Sequence, residues 1–154
     1  MIGAELEAIV PASAEAVWSL IGDTRRLPQW LALADEVEVL EGRGVGMKLR
    51  LLSRWRGRRS EVDVEVTSFE PNRVMAWRHL AERMDGKAVA RFSKETRFAI
   101  WLEPLDTGTK VRLRAEQDPA GAVRGFFIKV LGSREALHRM ALSLERLRMV
   151  AAIR

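Results

Sequence analysis

The stretch Ala12-Ser-Ala-Glu-Ala-Val-Trp-Ser-Leu-Ile-Gly-Asp-Thr-Arg-Arg-Leu-Pro-Gln-Trp30 decides how the rest of the chain is read. It predicts a helix with apolar residues on nearly every side, namely Ala16, Val17, Trp18, Leu20 and Ile21. Ser13 is placed to cap that helix, because a serine hydroxyl can accept from a free N–H of the first turn. Gly22-Asp23-Thr24 breaks it, and a second short helical turn then carries Pro28 and Trp30. A short helix that is apolar all round has to be covered on more than one side.

Working outward, Ile2 to Val10 alternates as a strand, with Leu6, Ala8 and Val10 on one face and Glu5, Glu7 and Ile9 on the other. Downstream the chain reads as strands until a long amphipathic helix from about Arg134 to Ala151. Its Leu137, Met140, Ala141, Leu144, Leu147 and Ala151 recur at helical spacing. Phe126 to Leu131 reads as a first helical portion, interrupted at Gly132-Ser133. The expected class is α+β: a bent antiparallel sheet gripping the last helix, with the small helices plugging one end.

Composition narrows the function classes. The chain has 154 residues, 47% hydrophobic and 31% charged, which predicts a single globular domain over 1–154. It has no cysteine, so disulfide and thiolate chemistry are excluded, as suits a reducing compartment. Glu5 and Glu7 interrupt the N-terminal region and argue against a signal peptide. No apolar run approaches the roughly 20 residues that span a bilayer. The expected location is the cytoplasm. The net charge of +5, dominated by arginine, fits either an anionic partner or a compositional bias toward arginine.

Charges predict the strand registers. Asp35 to Leu40 forms a strand that ends at Glu41-Gly-Arg-Gly-Val-Gly46, a turn or bulge lacking the spacing and following helix of a nucleotide loop. A turn centred on Arg56-Gly-Arg-Arg59 sets Arg54 against Glu61, Arg50 against Glu65 and Leu51 against Val64. Arg56, Arg58 and Arg59 are then left unpaired at the tip. A turn at Glu70-Pro-Asn-Arg73 sets Val66 against Trp77 and Val64 against His79, pointing Met75, Trp77 and His79 inward. A turn at Asp106-Thr-Gly-Thr109 sets Trp101 against Arg114 and groups Phe98, Ile100 and Leu102 with Leu113, Ala115 and Gln117 inside. Ala81 to Glu95 registers poorly: a turn near Asp85-Gly86 brings Phe92 beside His79 but points Lys94 inward. Either a bulge intervenes or Lys94 is a buried amine, and the bulge avoids the cost of an unpaired buried charge.

Several of these segments resemble the START-like, helix-grip superfamily, and most closely its polyketide cyclase/dehydrase branch. They are Ala12 to Trp18, Asp23-x-x-Arg26-x-Pro28-x-Trp30, the glycine run to Gly46, Glu70-Pro71-x-Arg73 with Trp77, and Thr107-Gly-Thr109-Lys-Val111. The resemblance spans essentially the whole chain. It implies a seven-stranded antiparallel sheet bent around the C-terminal helix, with two short helices after the first strand. That superfamily holds binders, carriers and enzymes.

On this reading the inner face lines a cavity for a small hydrophobic molecule: a lipid, a polyketide or an aromatic metabolite. The expected lining is Leu51, Ser53, Trp55, Val64, Met75, Trp77, His79, Phe92, Phe98, Ile100 and Gln117 from the sheet. Phe127, Leu137, Met140, Ala141 and Leu144 join it from the C-terminal region. Ser53, Ser68, His79 and Gln117 are its polar members. His79 is the candidate acid or base, with no inward carboxylate expected to orient it. His79 and His138 are the only histidines and make no metal cluster, and no Gly-x-Ser-x-Gly elbow occurs. The leading expectation is a non-catalytic binder or carrier without a cofactor, monomeric or a homodimer, with no specific nucleic-acid partner. The alternatives are a cyclase, aromatase or dehydratase working through His79, and an accessory protein docking on an anionic surface through its arginine tip.

Overall fold

A computed structural model describes residues 2–55, 57–88, 93–119 and 133–152. In chain order it has β1 (Ile2–Val10), α1 (Ala14–Ile21), a 3-10 helix (Thr24–Gln29), β2 (Glu36–Glu41) and β3 (Lys48–Trp55). There follow β4 (Arg58–Glu70), β5 (Val74–Met84), β6 (Lys87–Ala88), β7 (Ser93–Leu105), β8 (Gly108–Pro119) and α2 (Ser133–Ala152). The strands join in the order β1-β8-β7-β5-β4-β3-β2, and the short β6 adds to β5 off this path. The α+β helix-grip architecture holds, with β6 as an eighth strand. Phe126 to Leu131 falls outside the described residues.

The opening stretch folds as its composition requires. Ser13 Oγ accepts from the Ala16 N–H at 3.1 Å and starts α1. The Trp30 indole N–H donates to the Leu20 carbonyl at 3.1 Å, tying the 3-10 helix to α1. Val17, Leu20, Ile21, Leu27, Trp30 and Leu31 are all fully buried. Helix α2 buries Met140, Leu144, Leu147 and Ala151. Ala141 is exposed, contrary to expectation. It lies about 100° around the axis from Met140, just past the edge of the buried stripe.

The β4–β5 ladder pairs Val66 with Trp77, Glu65 with Arg78 and Val64 with His79, as the charges predict. Two other hairpins are corrected by two residues. Leu51 faces Val62 and Arg50 faces Asp63, while Trp101 faces Arg112. Both turns close more tightly than predicted, with Trp55 paired to Arg58 and Leu105 paired to Gly108. Because side chains alternate with a period of two, such a slip leaves each one on its predicted face. Ser68 is a further correction: a bulge between Val66 and Ser68 sets it opposite Ala76, on the outer face. At Asp85-Gly86 both residues have positive φ, 52° and 82°, and the two-residue turn pairs Met84 with Lys87. The β7–β8 register shifts between Ser93 and Glu95, so a bulge does stand at Lys94.

The outer face is neutralised pair by pair. Arg50 meets Asp63 at 2.8 Å, Arg83 meets Asp63 and Glu61 at 3.0 Å, and Arg78 meets Glu65 at 2.8 Å. Arg58, expected to be unpaired, bonds Asp85 at 2.9 Å, because the β5–β6 turn lies beside the β3–β4 turn. Arg56 lies outside the described residues.

Hydrogen bonding from Arg50 holds the Asp63 carboxyl below its ordinary range; partial burial opposes this and Arg83 reinforces it. A depressed carboxylate stabilises the fold above its unfolded pKa, and that stability is lost as pH falls through the folded value. Asp63→Asn is therefore expected to cost about 1–3 kcal/mol at neutral pH. It should also flatten the loss of stability below about pH 4, as read from urea melts across a pH series.

Candidate functional site

The concave face of the sheet is divided along its length. At one end Leu49, Val64, Met75, Trp77, Ile100 and Leu113 are buried into an apolar core with α1 and the end of α2. Trp77 stacks on Phe98 there, ring centroids 5.1 Å apart and 26° from parallel. One step further along the strands stand His79 on β5 and the cross-strand pair Thr96–Gln117 on β7 and β8. From this level on, the face is unevenly covered: Val62, His79, Glu82, Met84 and Gln117 are partly accessible, as is Leu137 of α2, while Leu51, Ser53 and Ser60 stay buried. The β5–β7 ladder runs from Val74–Trp101 to Arg78–Arg97, after which β5 pairs with β6. The sheet thus divides where the packed floor gives way to partly accessible positions.

A bulge brings two polar side chains together at these positions. Val64 faces His79 but Asp63 faces Ala81, so Leu80 is the extra residue. In an unbroken strand, residues three apart point to opposite faces; here the bulge turns Glu82 to the same face as His79. The Glu82 carboxylate Oε1 lies 2.7 Å from His79 Nδ1. With the carboxylate ionised, Nδ1 carries the ring proton and Nε2 of the neutral ring is an acceptor. Among the described residues, Nδ1 is the ring atom that is hydrogen-bonded. An imidazole held in one tautomer by a carboxylate is the unit used to take or give a proton. The expectation that no inward carboxylate orients His79 is therefore corrected. The alternation is irregular after His79, but it does not say which residue the ladder leaves unpaired.

A second group closes the far end. Ser53 Oγ accepts from the Trp55 indole at 3.0 Å. The Arg139 guanidinium lies 3.7 Å from the centroid of the Trp55 ring and donates to the carbonyls of Arg54 at 2.8 Å and Ala32 at 3.1 Å. Glu135 pairs with the same guanidinium at 3.1 Å. Ser143, fully buried, accepts from the Ala32 N–H at 2.8 Å. Together these fasten α2 to β3 and to the segment before β2. Arg139 sits off the apolar stripe of α2, and nothing in its sequence neighbours announces partners so distant in the chain. A cleft of about 250 Å³ opens beside Ser53 and Ser60, walled by Asp35, Glu36, Arg54, Arg59 and Glu61.

Of the sequence-predicted lining, Leu51, Ser53, Val64, Met75, Trp77, Phe98, Ile100, Met140 and Leu144 are buried, and Trp55, His79, Gln117 and Leu137 are half-buried. Ala141 is exposed, while Phe92 and Phe127 lie outside the described residues. Among the described residues, no three His, Cys, Asp or Glu side chains cluster to hold a metal, and no helix is long and apolar enough to cross a membrane.

The chain matches, over residues 1–152, the family described as polyketide cyclase / dehydrase and lipid transport, and it belongs to that family. Its fold is shared with the Zhui aromatase/cyclase from a Streptomyces species, at 21% identity and TM-score 0.74, covering 98% of this chain and 93% of that one. A START superfamily protein from Mycobacterium smegmatis aligns at 20% identity and TM-score 0.70, covering 96% and 98%. A protein from Thermus thermophilus aligns at 16% identity and TM-score 0.76, covering 99% and 98%. At these identities the likeness concerns the fold. No curated protein matches the chain.

Arg139→Ala is expected to destabilise the protein by about 2–4 kcal/mol, from the stacking and the charged hydrogen bonds together. Arg139→Lys should recover less than half, since an ammonium cannot stack and fork at once. Urea melts followed by tryptophan emission will read both, and full recovery by lysine would contradict this account.

Proposed function

We propose that this protein binds and carries a small hydrophobic or aromatic molecule in the hollow between the sheet and α2. The observation behind this reading is that the apolar side chains Val62 and Met84 of the inner face and Leu137 of α2 are partly accessible beside a fully buried floor. In a sheet whose inner face only fills a core, these positions would be closed over. Burying about 300 Å² of apolar ligand surface gives about 7.5 kcal/mol. Lost rigid-body freedom offsets about 4 kcal/mol or more of it. Selectivity then falls to the polar members His79, Ser53 and Gln117. The expected result of a titration with lipids and aromatic metabolites is saturable quenching of tryptophan emission, with Trp55 and Trp77 nearest the hollow. Absence of any ligand, in titration and by mass spectrometry of the purified protein, overturns the reading.

One observation favours a second reading, an enzyme of the cyclase or dehydratase kind. The Glu82–His79 contact supplies the oriented base that such proton transfers need. Under this reading Nε2 removes a proton from an acidic C–H or hydroxyl of the bound molecule, and Glu82 steadies the imidazolium formed. Glu82→Gln and His79→Gln should each then lower turnover by about 100-fold or more with affinity little changed. A carrier predicts the reverse: a modest change in affinity and no reaction to lose.

A further inference from the structure

Ser53 and Ser60 face each other across the β3–β4 ladder, at the end of the concave face remote from Trp77. Both residues are more than nine-tenths buried, at 8% and 7% accessible. Ser53 is engaged by the Trp55 indole. Ser60 Oγ has no hydrogen-bond partner among the described residues, and it is not sealed off, since no fully buried side-chain oxygen there lacks a partner. A hydroxyl so placed offers one donor and two acceptor positions to whatever fills the space before it.

The register sets its distance from the other polar group. His79 faces Val64, and Ser60 lies four residues further along β4 on the same face. At about 3.3 Å per residue that separation is about 13 Å. Between the two levels the β3–β4 side of the face is apolar, made by Leu51 and Val62. On β5, Glu82 stands in this interval with its carboxylate turned to His79. We infer that Ser60 is a second polar anchor and specificity-determining residue of the hollow. Its ligand is an elongated, mainly apolar molecule with an oxygen function at each end, one meeting His79 Nε2 and the other Ser60 Oγ. The inference rests on the hydrophobic-ligand reading and deepens it by fixing the spacing of the ligand's polar groups.

The test is displacement of anilinonaphthalene sulfonate from the full chain by a ten-carbon alkane diol, hydroxylated at both ends, and by the ten-carbon mono-alcohol. A uniformly apolar hollow prefers the mono-alcohol, because the diol must strip water from a second hydroxyl without replacement. The sign of the preference is therefore the readout. The expected result is a diol preference of about fivefold, the worth of one hydrogen bond. A four-carbon diol, too short to reach both anchors even with a hydrogen bond at each end, should show none over its own mono-alcohol. Ser60→Ala should abolish the preference while leaving the mono-alcohol unaffected, and Ser60→Thr, which keeps the hydroxyl, should retain it. A mono-alcohol preference in the unaltered protein, or a diol preference that survives Ser60→Ala, overturns the assignment alone. Failure of the dye to bind, or of both alcohols to displace it, overturns the carrier reading and this assignment together.

Discussion

Every strand of the main sheet presents apolar side chains to one side, and that side has to be kept from water by something other than the sheet. An α-helix is narrower than a seven-stranded sheet, so α2 alone cannot cover it. The sheet bends, and α1 with the 3-10 helix fills one end, where Trp30 is pinned to Leu20 and the surrounding side chains are fully buried. Coverage is complete at that end and partial at the other. The partly covered positions include His79, Glu82, Val62 and Met84. The uneven coverage is thus a consequence of how much surface two small helices and one long one can close.

A single extra residue then changes the chemistry of the inner face. Without the bulge at Leu80, Glu82 would face outward beside Glu61 and Asp63, and His79 would stand alone above Trp77. With it, a histidine acquires a carboxylate at 2.7 Å from its own strand, three residues away. A carrier can use such a pair to orient a ligand hydroxyl, and an enzyme can use it to move a proton. A small change of ligand, without change of fold, separates these two uses, which fits a family described by both cyclase/dehydrase activity and lipid transport.

The far end is governed by Arg139. Its guanidinium lies on Trp55 and bonds two backbone carbonyls from different segments, so the position of α2 is coupled to β3. Trp55 in turn donates to Ser53, the cross-strand neighbour of Ser60. The β3 end of the inner face, its polar pair and α2 therefore share one set of contacts.

Periodicity and charge in the sequence by themselves determined the inner and outer faces of most strands and the largely neutral outer surface. Those properties depend on alternation along each strand, which survives a register slip of two residues, as the β3–β4 and β7–β8 hairpins illustrate. The capping by Ser13 and the Asp85-Gly86 turn were legible for the same reason, since each is local. The tightness of two turns was not, nor was the outward side of Ser68, because a strand does not mark where its ladder takes in an extra residue. Only tertiary structure decided that Glu82 meets His79 and that Arg139 meets Trp55 and Ala32. The first depends on which backbone groups of β4 and β5 pair, and the second joins residues far apart in the chain, whose approach is set by the packing of whole elements.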